Sequence, residues 1–269
     1  MTQKPLILVT NDDGAGARGL QALLEVVRPL GTVYAVVPAE PHSGMSHAIT
    51  VTRPLHVDYR EDLSGGDYHC FTVSGTPVDC VKLAINRLLP RRPDLVVSGI
   101  NHGSNASVNL IYSGTMGAAL EGAVNGIRSI GLSLASYDAD ADFSAAIRIS
   151  KTVIRQVLAN GYRPGLCLNV NIPVPDDNTI KGIRVCRQTK GYWSEEFEET
   201  TGENGKKGYL LRGFYHNLEP GARDTDQWAL GQGYAAVVPV DADHTRYDDM
   251  EHLSDLNIDL SQEKSNDPS

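Results

Sequence analysis

The sequence predicts an α/β fold, a doubly wound and mostly parallel sheet that carries a C-terminal hairpin or arm. Continuous apolar runs of strand length suit parallel strands buried on both faces. They alternate with helical patterns, which implies right-handed crossovers between neighbouring strands. The alternation stops after Pro173, where the character of the chain changes.

The first apolar run, residues 6–9, ends at Asn11-Asp12-Asp13-Gly14. A helical stretch at about 20–27 follows, then a strand at 32–37. An extended region at 49–59 and a turn at Gly65-Gly66 precede a strand at 69–73. Thr76-Pro77-Val78-Asp79 reads as a helix start, with Thr76 as N-cap, Pro77 in the first turn and Asp79 as the capping-box acid. Val81, Ala84, Ile85 and Leu88 then share one helical face. Pro93-Asp94 leads into a strand at 95–97, and a further helix starts near Gly114. A strand at 130–134, a long helix at 143–158 and a strand at 166–172 complete the regular part. Residues 190–207 lack either periodicity, and strand-like pieces at 183–186 and 209–211 flank them, as in a projecting hairpin. A short helix at 224–230 and a strand at 234–238 return to the core. The expected organisation is one domain over residues 1–247, with an arm at about 183–232 and a polar acidic tail at 248–269 that frays.

With 269 residues, 41% of them apolar, the chain has material for a sizeable core. A net charge of −9 argues against a nucleic-acid duplex, whose phosphates call for Lys and Arg. A small phosphorylated ligand stays open, because one bound divalent cation inverts the local field. No apolar stretch reaches bilayer length, and the N-terminus lacks a secretory pattern, so a cytoplasmic protein without a membrane partner is expected. Cys70, Cys80, Cys167 and Cys186 form no C-x-x-C pair and lie beside apolar residues, which fits reduced, buried thiols.

Four polar loops follow strands at the sheet edge where open α/β folds bind ligands. In the first, the adjacent carboxylates Asp12 and Asp13 are costly to pack together unless a divalent cation neutralises them, and a solvated turn with a helix cap is the bland reading. In the second, Ser43-Gly44 brings a hydroxyl to the same edge. In the third, Asn101 offers a neutral oxygen ligand and Asn105 an amide for phosphate. In the fourth, Tyr112-Ser113-Gly114-Thr115 opens a helix, whose hydroxyls and free N–H groups make an anion site or serve simply as caps. Gly14-x-Gly16-x-x-Gly19 with Glu40 also matches a dinucleotide fingerprint, so an NAD-binding oxidoreductase is a rival, though Asp12 and Asp13 would repel a pyrophosphate. A non-catalytic nucleotide-binding protein is the third reading.

Asn11-Asp12-Asp13-Gly14, Gly19-Leu20, Pro38 with Ser43-Gly44, and Gly75-Thr76-Pro77-x-Asp79-Cys80 stand in this order, followed by the stretch from Pro93 to Asn105 and by Tyr112-Ser113-Gly114-Thr115. With them the chain closely resembles the SurE family of 5′-nucleotidases, or survival proteins, strongly to about Leu134 and more weakly through Asn169-x-Asn171-x-Pro173 and Asp224-Thr225-Asp226. The resemblance implies a Rossmann-like fold and one divalent ion, Mg²⁺ or Mn²⁺, held by Asp12, Asp13, Ser43 and Asn101. It implies phosphate contacts from Asn105, Ser113, Gly114 and Thr115. The activity it implies is phosphate release from nucleoside monophosphates by an activated water, with 3′-nucleotides and polyphosphate as further substrates, in a homodimer or homotetramer. Arg18 stands where the family often has Pro, and residues 190–207 follow no family pattern.

Asp138-Ala139-Asp140-Ala141-Asp142 imitates the start of a calcium loop, but Phe143 and Ile149 occupy the places of the Gly and Glu that such a loop needs. A solvated loop with Asp142 capping the next helix fits better.

Overall fold

The computed structural model describes residues 4–138, 140–174, 179–202 and 204–258. In chain order the first elements are β1 (Leu6–Thr10), α1 (Arg18–Val27), β2 (Thr32–Pro38), β3 (Val57–Tyr59), β4 (Tyr68–Val73) and α2 (Pro77–Leu83). A π-helical turn, Ala84–Leu88, extends α2 before β5 (Leu95–His102), a 3₁₀ segment (Ser107–Tyr112), α3 (Gly114–Val124), β6 (Ser129–Leu134), α4 (Ser144–Ala159) and β7 (Cys167–Ile172). Then come β8 (Gly182–Val185), β9 (Gly191–Ser194), β10 (Phe197–Thr201), β11 (Lys207–Leu211), β12 (Phe214–Asn217), α5 (Asp226–Gly231), β13 (Tyr234–Val240) and α6 (Tyr247–Met250).

Nine strands form one sheet in the order β3-β4-β2-β1-β5-β6-β7-β13-β8. All of its pairings are parallel except β3 with β4 and β13 with β7. The doubly wound α/β expectation therefore holds. Alternate strand residues go to opposite faces. Ile7 and Val9 join Leu20, Leu23 and Ile154 in the core beneath α1 and α4, while Leu8, Val36 and Val96 meet Val81 of α2 and Ala84 of the turn that extends it on the other face. Every residue of β1 is buried, which is why its run reads as continuously apolar.

The helix start at Thr76 is as the sequence predicts. The Asp79 amide donates to Thr76 Oγ1 at 3.1 Å, and the Thr76 amide donates to Asp79 Oδ2 at 2.9 Å. Asp142 caps α4 from one residue further out than expected, accepting from the Ser144 amide at 2.8 Å while Phe143 holds the N-cap position. Of the extended region at 49–59 only β3 pairs as a strand; the Thr50 amide is diverted to Asp79 Oδ1 at 3.0 Å. Residues 190–217 form two antiparallel ladders, β9 with β12 and β10 with β11. Their faces are largely exposed, so no burial alternation marks them in the sequence. Residues 259–269 of the predicted tail lie outside the described residues. The four cysteines are free, but Cys186 is only half-buried, because β8 is an edge strand. Among the described residues no helix is long and apolar enough to cross a membrane.

Candidate active site

β1 lies between β2 and β5. The chain first winds outward from β1 to β2 and β4, then crosses back to β5, so the winding direction reverses beside β1. Such a reversal leaves a crevice at the carboxyl ends of the strands. The loops after β1 and β2 carry Asp12, Asp13 and Ser43, whereas Asn101 is the penultimate residue of β5 itself, which runs on to His102 instead of ending at 97 as the sequence predicts.

Asn11 builds the first loop. Its side chain donates to the Gly14 carbonyl at 2.9 Å and accepts from the Gly14 amide at 3.2 Å. Gly14 needs to be glycine because its φ is +85°. Asp12 is left only 4% exposed, and its carbonyl accepts from the His42 amide at 2.7 Å, which joins the first loop to the second. The Asp12 carboxylate accepts from Thr115 Oγ1 at 2.8 Å. Burial, and then the Asp13 charge, push the Asp12 carboxyl up to about 6 against those Thr115 bonds. Burial likewise raises Asp13, with His102 pulling the other way. What opposes burial is therefore hydrogen bonding and one histidine. A divalent cation is the charge that this pair lacks.

Asn101 donates its amide to the Gly103 carbonyl at 2.8 Å, which leaves its side-chain oxygen as the group available for a cation. The exposed Ser43 sits on a loop pinned from the far side. Ser46 donates its amide to the Tyr112 carbonyl at 3.1 Å and its hydroxyl to the Ile111 carbonyl at 2.6 Å. Gly117 permits that approach, since a Cβ there would stand 2.3 Å from the Ser46 oxygen. Farther along, Glu121 holds His47 at 3.2 Å and Lys82 at 2.9 Å. Burial disfavours the Glu121 charge, but its bonds to His47, Lys82 and Asn125 outweigh that and keep the carboxyl below its ordinary range.

Asn105 is set by a buried polar ladder. Its amide donates to Asn171 Oδ1 at 2.8 Å, its carbonyl accepts from Asn169 Nδ2 at 2.8 Å, and its own Nδ2 donates to Ser133 Oγ at 2.9 Å. Asn171 in turn donates to Asn169 at 2.9 Å. In the sequence, Asn169 and Asn171 carry only a weak family match. The legible signal was two amides spaced by two in a buried strand, which puts them on one face where a polar partner is required.

Asp12, Asp13, Ser43, Asn101, Asn105 and Ser113 line one cleft of about 1280 Å³. Gly114 and Thr115 are not among its walls. Ser113 caps α3 by accepting from the Met116 amide at 3.1 Å, so its hydroxyl proton is free to serve the cleft. Thr115 differs from expectation. It is fully buried, and its hydroxyl proton goes to Asp12. A Cβ on Gly114 would stand 3.1 Å from Asp12, so this glycine lets the carboxylate approach the helix N-terminus. The start of α3 thus steadies Asp12, while its cap Ser113 is the residue that reaches the cleft. Thr115→Val should consequently weaken binding of Mn²⁺ by roughly tenfold, the cost of one charge-assisted hydrogen bond, while Thr115→Ser keeps it. Titration calorimetry decides; unchanged affinity in the Val variant would remove Thr115 from this role.

The far wall went unread in the sequence. Trp193, Glu195, Glu196, Phe197, Glu198 and Arg212 of the arm line the same cleft. The arm is fastened at its base by Asp226, fully buried, which accepts from the Ser107 amide at 2.8 Å and from Thr189 Oγ1 at 2.5 Å.

The glycine fingerprint has a structural explanation. Gly14 supplies the positive φ, and Gly19 lets α1 touch β5, where a Cβ would fall 1.9 Å from the Ile100 oxygen. Gly16 has open space around it, and Glu40 is exposed. Helix-on-strand packing accounts for the pattern, and the dinucleotide reading is not favoured.

Among the described residues no three His, Cys, Asp or Glu side chains come together as a metal cluster, so a cation here draws on neutral oxygens too. Two carboxylates, an amide oxygen and a hydroxyl are hard donors of the kind that suit Mg²⁺ or Mn²⁺.

Residues 7–195 match the family model described as survival protein SurE. A 5′-nucleotidase SurE of Flavobacterium johnsoniae is 49% identical over 94% of this chain and 96% of its own length. One from Christiangramia forsetii is 48% identical over 95% and 98%. The crystal structure of the SurE protein from Aquifex aeolicus superposes with a TM-score of 0.79 at 35% identity, covering 94% of this chain and 100% of that one. With the same motifs, the same fold and nearly full-length similarity, this chain belongs to the SurE family.

Proposed function

We propose that this protein is a metal-dependent 5′-nucleotidase that releases phosphate from nucleoside monophosphates. The carrying observation is that six residues from three strand ends, the loop after β5 and one helix cap line a single cleft, with carboxylates and neutral oxygens beside phosphate donors. Asp12, Asp13, Ser43 and Asn101 would hold one Mg²⁺ or Mn²⁺ per chain. Such an ion supplies Lewis-acid polarisation of the phosphate and acidifies water.

The chain's own residues do the rest. Asn105 and the Ser113 hydroxyl, with the N-terminus of α3, stabilise charge on the phosphoryl oxygens. Asp12 or Asp13 accepts the proton of the attacking water. Thr115 and Gly114 hold Asp12 in place for this. The acidic arm residues Glu195, Glu196 and Glu198 disfavour a long anionic tail on the substrate, so monophosphates should be preferred to polyphosphate. The exposed Phe197, Leu211 and Phe214 give the arm an apolar surface suited to contacts in a homodimer or homotetramer. Free, mostly buried thiols suit a reducing cytoplasm.

Chelation by EDTA should abolish phosphate release from adenosine 5′-monophosphate, and Mg²⁺ or Mn²⁺ should restore it. Full activity of a verified metal-free preparation would exclude the reading.

A further inference from the structure

The arm brings an aromatic side chain to the cleft that the hydrolytic chemistry does not use. Trp193 lines the cleft from β9, opposite in sequence and origin to the strand-end residues. Its indole N–H donates to Asn109 Oδ1 at 2.8 Å, and its ring meets Tyr215 edge-on with centroids 5.9 Å apart. Tyr215 is itself held, its hydroxyl 2.7 Å from Ser107 Oγ. The ring is half-buried, whereas Tyr112 and Tyr137, also in the cleft, are 50% and 79% exposed. Among these aromatics, Trp193 is the one fixed by both a hydrogen bond and a ring contact.

The anchor has a meaning for position. Asn109 stands midway along the segment joining Asn105 to Ser113, the two cleft-lining side chains that the nucleotidase reading assigns to phosphate. On the nucleotidase reading, a substrate whose phosphate rests between those donors lies in the same cleft as the arm residues. At the base of the arm, Asp226 joins Thr189 to Ser107 of that same segment. A flat aromatic face held in advance costs no rotamer freedom when a flat ligand stacks on it.

Building on the nucleotidase reading, we propose that Trp193 is the nucleobase platform of this enzyme, a specificity-determining residue that stacks the base and touches no reacting atom. Stacking on a π-face tolerates every base, so the site selects nucleotides over other phosphomonoesters without reading base edges. Stacking of this kind acts equally on bound substrate and transition state, so it should appear in KM rather than kcat.

The test compares adenosine 5′-monophosphate with ribose 5-phosphate, which has the same phosphoester and no base. Trp193→Ala should raise KM for the nucleotide by roughly tenfold or more while ribose 5-phosphate kinetics stay within about twofold, and Trp193→Phe should recover most of the loss. An equal loss on both substrates would assign Trp193 a merely structural role in the arm, and an unchanged nucleotide KM would also overturn the proposal. A second readout needs no turnover. In a Trp228→Phe background, which leaves Trp193 as the single indole, adenosine should quench the fluorescence saturably. Absence of quenching overturns the platform. Quenching without phosphate release from either substrate would instead defeat the nucleotidase reading and leave the platform standing.

Discussion

Asp12→Asn is expected to lower turnover by at least ~10²-fold with the fold intact. The substitution conserves shape and removes one of the two charges that would hold the cation, whose Lewis-acid contribution is worth several kcal/mol. The stability effect should have the opposite sign. The Asp12 carboxyl is pushed up to about 6 from an ordinary 3.8, so the folded state binds its proton more tightly than the unfolded state does. Ionisation therefore destabilises the metal-free protein, and stability falls as pH rises from about 4 to about 6. At roughly 1.4 kcal/mol per unit, the penalty above pH 6 is on the order of 3 kcal/mol. Asp12→Asn escapes it. Metal-free melts at pH 7.5 should show a Tm for the variant equal to or above wild type, and a flatter dependence on pH. A large drop in Tm would mean that Asp12 is a structural cap rather than a charge kept ready for a cation.

Gly19→Ala should be strongly damaging for a single added methyl group. The added carbon would lie 1.9 Å from the Ile100 oxygen and 3.0 Å from its carbonyl carbon, both backbone atoms without a rotamer to yield. Either α1 or the end of β5 must move, and overpacking of this kind costs about 1–3 kcal/mol and occasionally more. Because Asn101 follows Ile100 directly, the displacement reaches the site, so activity should fall further than stability alone explains. Gly16→Ala is the control. It meets nothing within 4 Å and should be nearly neutral in both respects. Urea unfolding and phosphate release on the two variants check this. A harmful Gly16→Ala with a benign Gly19→Ala would reverse the explanation of the glycine pattern.

Much of this architecture is legible in the residues because local and tertiary forces agree. β1 is apolar from Leu6 to Val9 and buried at every position, and the Thr76–Asp79 box is both a sequence pattern and a pair of reciprocal hydrogen bonds. The first two polar loops declare themselves because each follows a buried strand, whereas Asn101 lies within β5 and Ser113 follows a 3₁₀ segment rather than a strand. Other features depend on contacts distant in sequence. Thr115 reads as a helix cap near an anion site, and only packing of α3 against the first loop turns its hydroxyl to Asp12. β10 and β11 are exposed on both faces, so neither hydrophobic period appears, and their place over the cleft depends on Asp226 meeting Ser107, 119 positions away. Trp193 stood in that unpatterned stretch, and nothing local to it signals a cleft.

On the proposed reading, residues from the ends of β1, β2 and β5 hold a single cation against the phosphate donors. A Mn²⁺ soak of crystals of the protein, with anomalous difference density recorded at the manganese edge, tests it most directly. One peak per chain is expected, within coordination distance of oxygens from Asp12, Asp13, Ser43 and Asn101. A peak held by other side chains, or no peak at a saturating Mn²⁺ concentration, would contradict it.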